Sequence, residues 1–216
     1  MEGLIQRINS IQLSSQQRIG QGRFREVYGI GDGLCIKILK PIILKSYGAG
    51  VSIPIPGRLY TLLKYRVADI NETEYANYQK VMYLVPTELH HYFGHLHGVI
   101  QTAAYGSVLA AEMITNSDGS ISRDLHHEVV HEQEFWQGID AVSQTFRELN
   151  IPHFGIGSGN FVVRRNADHG LHPVLIDYKK IGANFFPFQP WNYLSYCSSR
   201  KVDRIFERLK EKFSQR

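Results

Sequence analysis

Two short apolar strands separated by a polar loop constrain the fold of this chain more than any other feature. Strands are expected over Phe161–Val163 and Val174–Ile176, with Asn160 at the head of the first and Asp177 at the end of the second. Paired strands would deliver both side chains to one edge of a sheet. Amide and carboxylate oxygens are ligands that a phosphate-bound Mg²⁺ ion accepts, so this edge is a candidate metal site.

A glycine-rich turn and an apolar strand with a central lysine lie far upstream of that pair. Gly20 and Gly22 permit a tight hairpin whose backbone N–H groups can approach a phosphate closely. The next expected strand, Leu34–Leu39, holds Lys37 among apolar neighbours. We interpret Lys37 as a phosphate ligand; the alternative is a lysine that protects an edge strand from pairing with another chain.

A helix is expected over Asn71–Met82, because Asn71 can cap its first turn and acidic residues follow. Glu74 lies near the start of this helix. It can pair with Lys37, or it can simply stabilise the positive end of the helix dipole. The sequence leaves these two interpretations even.

The segment His127-Glu-Val-Val-His131 suggests a different chemistry. It fits the H-E-x-x-H pattern, in which two imidazoles one helical turn apart bind zinc and a glutamate activates water. The pattern depends on a long helix expected over His126–Leu149. A catalytic zinc also needs a third protein ligand, and the extended motif that supplies one does not follow. A zinc hydrolase using His127, Glu128 and His131 is therefore our third hypothesis.

Composition and charge limit the domain organisation, the classes of binding partner and the cellular compartment that we expect. With 216 residues, of which 43% are hydrophobic and 20% charged, the chain can form one domain or two small lobes with a core. The net charge of +4 is spread along the sequence, so no nucleic-acid-binding stripe is expected. Neither a membrane span nor a signal peptide is expected. Cys35 and Cys197 match no metal or disulfide pattern, which indicates a reducing compartment, either the cell's own cytoplasm or, for a secreted effector, a host cytosol.

With these residues assembled, the chain resembles the protein-kinase-like superfamily and, within it, the bacterial YrbL family (PhoP regulatory network protein). The resemblance runs over nearly the whole chain. It is carried by Gly20-x-Gly22-Arg23, Cys35–Ile38, Glu74–Tyr78, the Asp118-Gly-Ser turn, Gly159-Asn160, Ile176-Asp177 and an aromatic loop that ends at Trp191. It implies an α+β, two-lobed fold: a small antiparallel β-rich N-lobe (residues 1–115) and a reduced, mainly helical C-lobe (residues 116–216).

The resemblance also implies ATP and Mg²⁺ as cofactors. Lys37 would hold the α and β phosphates, Glu74 would orient Lys37, and Asn160 and Asp177 would hold the metal. The remaining expected nucleotide contacts are Gly20, Gly22, Arg23 and Val27 around the phosphates, and Glu112 and Ile114 in a hinge that would bind adenine.

The chain departs from the kinase pattern in several places. The catalytic aspartate normally lies five residues before the metal-binding asparagine, and here that residue is Gly155. Arg25 replaces the third glycine of the phosphate loop, where it would place charge over the nucleotide. Tyr178 stands where a kinase has phenylalanine after the metal-binding aspartate.

We therefore expect an ATP/Mg²⁺-dependent phosphotransferase with an atypical catalytic loop and a protein acceptor. The alternative is a nucleotide-binding pseudokinase that regulates a partner.

Overall fold

A computed structural model of the chain describes residues 2–22, 25–40, 69–151, 157–178 and 195–213. The chain forms two compact units. Unit 1 consists of Met1–Tyr75 with Leu96–Met113, and unit 2 consists of Ala76–His95 with Ile114–Arg216. These units assign residues 76–95 and 114–115 differently from the expected lobes 1–115 and 116–216, whose boundary stays a prediction.

Unit 1 is built on an antiparallel sheet, five-stranded in the part of the chain that is described. The strand order is β1-β2-β3-β5-β4, with β1 at Gln17–Gln21, β2 at Arg25–Gly31, β3 at Leu34–Leu39, β4 at Leu96–Thr102 and β5 at Gly106–Glu112. Helix α1 (Glu2–Ser10) contributes Ile8, which is fully buried in one cluster with Ile36 and Val108. This cluster is the hydrophobic core of unit 1.

The position of β3 in the sheet explains its composition. It pairs with β2 on one side and β5 on the other, and five of its six residues are buried. A strand enclosed in this way favours a continuous apolar run. Burial also raises the pKa of the Cys35 thiol to about 11, as expected for a buried free cysteine. Because β3 is not an edge strand, the edge-protection interpretation of Lys37 is wrong.

Helix α2 (Ile70–Leu84) confirms the helix expected over Asn71–Met82, but its cap is a different residue. Asp69 Oδ1 accepts hydrogen bonds from the backbone N–H groups of Asn71 and Glu72, at 2.7 and 3.3 Å. A carboxylate just before the first turn satisfies N–H groups that have no partner within the helix. The proposed capping role of Asn71 is therefore wrong, and its side chain is buried elsewhere.

Unit 2 contains a second antiparallel sheet with the order β6-β7-β8 among the described residues. Its strands are β6 (Arg123–Asp124), β7 (Phe161–Arg165) and β8 (Leu171–Leu175). The two long strands confirm the pair expected at Phe161–Val163 and Val174–Ile176, with β7 longer and β8 shifted toward the N-terminus.

Two amphipathic helices pack in unit 2: α3 (Gln133–Glu148) contacts both β8 and α4 (Ser195–Phe213). At Gly138 the backbone of α3 comes so close to its neighbours that a Cβ there would lie 2.7 Å from Pro173 Cγ and 2.8 Å from the Tyr92 ring. Only glycine allows this approach without displacement. No helix among the described residues has the length and apolar character needed to cross a membrane.

Helix α3 begins at Gln133, so the prediction of a helix from His126 is wrong. The Asp124 carboxylate accepts hydrogen bonds from the backbone N–H groups of His126 and His127, both at 3.1 Å. An aspartate that binds its own backbone two and three residues ahead stabilises a turn in competition with a helix. Residues 128–132 then lead into α3 without helical structure.

Candidate functional site

Unit 1 brings together Lys37 and Glu74, whose pairing was one of two interpretations that the sequence allowed. Lys37 Nζ lies 2.6 Å from Glu74 Oε1. The Lys37 side chain is 10% exposed and that of Glu74 is fully buried, so the ion pair is shielded from water. A pair in this setting is far stronger than the interaction of a solvated glutamate with a helix dipole. Of the two interpretations of Glu74, the structure shows the pairing.

Arg25 does not lie over a nucleotide site, as the loop pattern suggested, but turns into unit 1. Its Nη2 donates to Glu74 Oε2, and its Nη1 donates to Asn71 Oδ1 at 2.9 Å. The Arg25 side chain is 8% exposed. Burying a guanidinium requires a charged partner and satisfied donors, and both are present on α2. The expectation that Arg25 places charge over the nucleotide is therefore wrong.

Asn71 connects this charged group to the middle of the sheet. Its amide Nδ2 donates to the backbone oxygen of Ser107 at 2.8 Å, and the oxygen of Lys37 lies 3.4 Å away. Ser107 begins the buried part of β5, and Lys37 lies on β3. We call Arg25, Lys37, Asn71 and Glu74 the buried charge network. Of these four residues, sequence reasoning paired Lys37 with Glu74 as one of two interpretations, placed Arg25 over the nucleotide, and took Asn71 as an ordinary helix cap.

Unit 2 positions Asn160 and Asp177 through the backbone of one hairpin. Phe161 is paired with Leu175, and the N–H of Ile176 donates to the oxygen of Asn160 at 2.9 Å. Asn160 therefore lies opposite the residue that precedes Asp177. The juxtaposition of these residues at one sheet edge is as expected; their role as metal ligands stays a prediction.

The Asn160 side chain is oriented by the short 3-10 turn that precedes β7 (Ser158–Asn160). The N–H of Gly157 donates to Asn160 Oδ1 at 3.1 Å, and the N–H of Asn160 donates to the Gly157 oxygen at 2.9 Å. An amide oxygen can accept a second bond, so Oδ1 keeps the capacity to bind a cation. Gly155, at the catalytic-aspartate position, lies outside the described residues.

Tyr178 anchors the segment that carries Asp177. Its ring is fully buried, and its hydroxyl lies 2.8 Å from the oxygen of Gly94 and 3.0 Å from that of Leu175. Asn77 Nδ2 donates to the Tyr178 oxygen at 3.0 Å, and the Tyr78 ring packs edge-on at 5.1 Å. The hydroxyl gives this tyrosine bonds that phenylalanine cannot make. The sequence marked Tyr178 only as a departure and contained no signal for its partners.

The structure describes the backbone on either side of the expected glycine turn and at the two expected hinge residues, Glu112 and Ile114. Gly20 is paired with Val27, and the N–H of Gly22 donates to the oxygen of Arg25 at 2.8 Å, which closes the base of the β1–β2 turn. Arg23 lies outside the described residues. The Glu112 oxygen receives a weak bond from the Cys35 thiol at 3.5 Å, and the Ile114 oxygen accepts from the N–H of Ser122 at 3.0 Å. Their proposed nucleotide contacts stay predictions.

The H-E-x-x-H segment lacks the geometry that its pattern requires. His127 lies in a turn, and its Nδ1 is 2.6 Å from Asp124 Oδ1. Glu128 and His131 lie in the non-helical stretch before α3, so the one-turn spacing of the two imidazoles does not apply. Within the described ranges, no group of three His, Cys, Asp or Glu side chains could hold a metal ion. The structure gives the zinc hypothesis no support.

The sheet with its buried lysine–glutamate pair, together with the hairpin that ends at Asn160 and Asp177, defines a two-lobed, α+β protein-kinase-like fold. One solved structure of similar fold is a kinase. The Rio2 kinase–ADP/Mg²⁺–phosphoaspartate complex from Chaetomium thermophilum matches with a TM-score of 0.55 at 10% identity, over 98% of this chain and 59% of that chain. The PknI kinase domain from Mycobacterium tuberculosis matches with a TM-score of 0.43 at 12% identity, over 81% of this chain and 64% of that chain.

The chain belongs to the family described as PhoP regulatory network protein YrbL, whose model matches residues 11–214. This confirms the resemblance drawn from the sequence motifs. The chain spans less than two thirds of each of the two kinase chains. No curated protein matches the sequence.

Proposed function

We propose that this protein is an ATP- and Mg²⁺-dependent phosphotransferase of minimal kinase-like fold, with a protein as acceptor. The observation that carries the proposal is the buried ion pair between Lys37 and Glu74. In kinases, a strand lysine held by a helix glutamate contacts the nucleotide phosphates, and both must be in place for transfer. The ADP and Mg²⁺ bound to the Rio2 kinase support the same ligands for this fold.

Asn160 and Asp177 are the proposed Mg²⁺ ligands. Their donor set, one amide oxygen and one carboxylate, fits a hard cation that prefers oxygen and retains water and phosphate ligands. The ion would neutralise charge on the transferring phosphoryl group. The β1–β2 turn, with Gly20, Gly22, Arg23 and Val27, would cover the phosphates. Glu112 and Ile114 would contact adenine.

A nucleotide-binding pseudokinase is the second candidate, and Gly155 is the observation that favours it. An aspartate at that position would orient the acceptor hydroxyl and accept its proton. General-base contributions are about 10² to 10⁴-fold, so loss of the aspartate slows transfer without forbidding it. A protein that binds ATP without transferring its phosphate would regulate a partner through nucleotide occupancy.

Calorimetric titration with ATP and Mg²⁺ tests the nucleotide site. Lys37→Met should weaken binding by about tenfold or more, equivalent to about 1.4 kcal/mol. Arg25 stays paired with Glu74 in this variant, so the fold should persist. Lys80→Met, at an exposed position on α2, is the matched control and should bind like the wild type. Equal affinity of Lys37→Met and wild type would refute the phosphate-binding role.

Incubation with γ-labelled ATP separates the two candidates. A phosphotransferase labels itself or an added protein, and Asp177→Asn should abolish the label because the metal loses its charged ligand. A pseudokinase binds ATP in the calorimeter, yet all of the label stays on ATP and none is transferred to protein. Labelling that persists unchanged in Asp177→Asn would contradict the metal-binding role of this residue.

A further inference from the structure

Arg25 is a member of the buried charge network to which the kinase pattern assigns no role. It lies at the start of β2, paired with Leu39 of β3, and it occupies the third-glycine position of the phosphate loop. Instead of facing solvent, its guanidinium contacts two residues of α2. A charged side chain that is buried at the base of this loop must be retained there by specific partners.

The carboxylate of Glu74 is divided between two cations. Oε1 lies 2.6 Å from Lys37 Nζ, and Oε2 accepts from Arg25 Nη2. The other arm of the guanidinium donates to Asn71 Oδ1 at 2.9 Å. Asn71 and Glu74 are three residues apart on α2, so they share one helix face, and the planar fork of arginine reaches both at once. A lysine at position 25 has a single nitrogen and would reach only one of them well.

Arg25, the second cation, becomes important when a nucleotide phosphate also interacts with Lys37, the first. Lys37 would then divide its charge between Glu74 and the phosphate, which weakens its hold on the carboxylate. Glu74 is fully buried, and a buried carboxylate is costly unless it remains paired. Because Arg25 holds Oε2 independently, Glu74 keeps a cation and keeps its position on α2. The Asn71 bond to Ser107 of β5 secures the same face of the helix.

We propose that Arg25 is a positioning residue for phosphate recognition: it holds Glu74 in place so that Glu74 can orient Lys37 toward the nucleotide phosphates. This inference rests on the proposed nucleotide-binding function. Arg25 acts through Glu74 and does not contact the nucleotide, in contrast to the role that its place in the phosphate loop suggests.

The test compares two ligands, ATP and adenosine, that differ in their phosphates. The quantity measured by calorimetry is the ratio of the adenosine dissociation constant to the ATP dissociation constant. Arg25→Met should lower this ratio by about fivefold or more, in the range of couplings between contacting residues. Arg18→Met is the control: it removes an equal charge from the neighbouring strand at a side chain that is 54% exposed, and it should leave the ratio unchanged.

Three outcomes overturn the inference, and they are distinguishable. A wild type that binds neither ligand removes the proposed function and the inference together. A wild type that prefers ATP, with both affinities unchanged in Arg25→Met, removes the inference alone. An equal loss of both affinities would show a merely structural role and also removes it. If Arg25→Met shows no cooperative thermal transition, Arg25→Gln, which keeps an amide donor without the charge, replaces it.

A double variant distinguishes positioning from direct phosphate binding. When Arg25→Met is added to Glu74→Gln, the ratio should fall no further, because the residue through which Arg25 acts is already altered. A further fall as large as that in the wild-type background would mean that Arg25 contacts the phosphates itself, and the proposal would then be wrong.

Discussion

The two regions that carry the candidate site residues are held in place by different physical means. In unit 1, Lys37 and Glu74 are positioned by side chains, through the buried charge network that includes Arg25 and Asn71. In unit 2, a backbone hydrogen bond of one hairpin joins Asn160 to Ile176, the residue before Asp177. The first arrangement depends on which residues are present, and the second depends on strand register.

This difference predicts how each region tolerates substitution. A buried ion network loses stability when one partner is removed, because the remaining charges keep their burial and lose their compensation. A hairpin whose register is set by backbone bonds and apolar residues keeps its geometry when the polar residues at its end change. A substitution of Glu74, which pairs with both cations of the network, should therefore affect folding and binding together.

The largest effect is expected for Glu74→Gln. This variant removes the buried carboxylate that contacts both Arg25 and Lys37, and it should lower the free energy of unfolding by about 3 to 5 kcal/mol. Chemical denaturation measures the loss. Glu72→Gln, an exposed change on the same helix, is the control and should stay within about 0.5 kcal/mol. Equal effects of the two variants would show that the network contributes no special stability.

A smaller effect is expected for Tyr178→Phe, which tests whether the segment that carries Asp177 also depends on a side chain. The variant removes the hydroxyl that bonds to the oxygens of Gly94 and Leu175, at a cost of about 1 to 2 kcal/mol. Tyr83→Phe is the control, because Tyr83 is 88% exposed. If Tyr178→Phe were as harmful as Glu74→Gln, the contrast between the two regions would fail.

The smallest effect on stability at neutral pH is expected for a substitution of His172, which lies on β8, the strand before Asp177. Burial, with nearby His91 and Arg164, lowers the pKa of His172 from 6.5 to about 4. In the unfolded chain, His172 therefore binds a proton below about pH 6.5, whereas in the folded chain it binds one only below about pH 4. The stability of the protein should fall as the pH is lowered across this window and should not change through His172 above it.

Denaturation midpoints at pH 7.5 and pH 5 measure this dependence. His172→Gln should reduce the difference between the two midpoints. If the difference in midpoints is the same in His172→Gln and in the wild type, protonation of His172 does not contribute to the pH dependence of stability.

Much of the fold could be predicted because it follows from local patterns. The apolar run of β3 and the strands next to Asn160 and Asp177 are set by side-chain periodicity over a few residues. The start of α3 could not be predicted this way. Its apolar pattern would have allowed an earlier start, but the bonds from Asp124 to the backbone of His126 and His127 favour a turn.

By itself, the sequence determined the residue types of the candidate site and the strands that carry them. Their order along the chain was enough to indicate a kinase-like fold. Tertiary structure decided which residues meet. The bond from Arg25 to Glu74 joins residues 49 positions apart, and that from Asn77 to Tyr178 joins residues 101 positions apart. No local pattern encodes such distant contacts, since they depend on which side chains are buried together and therefore need partners.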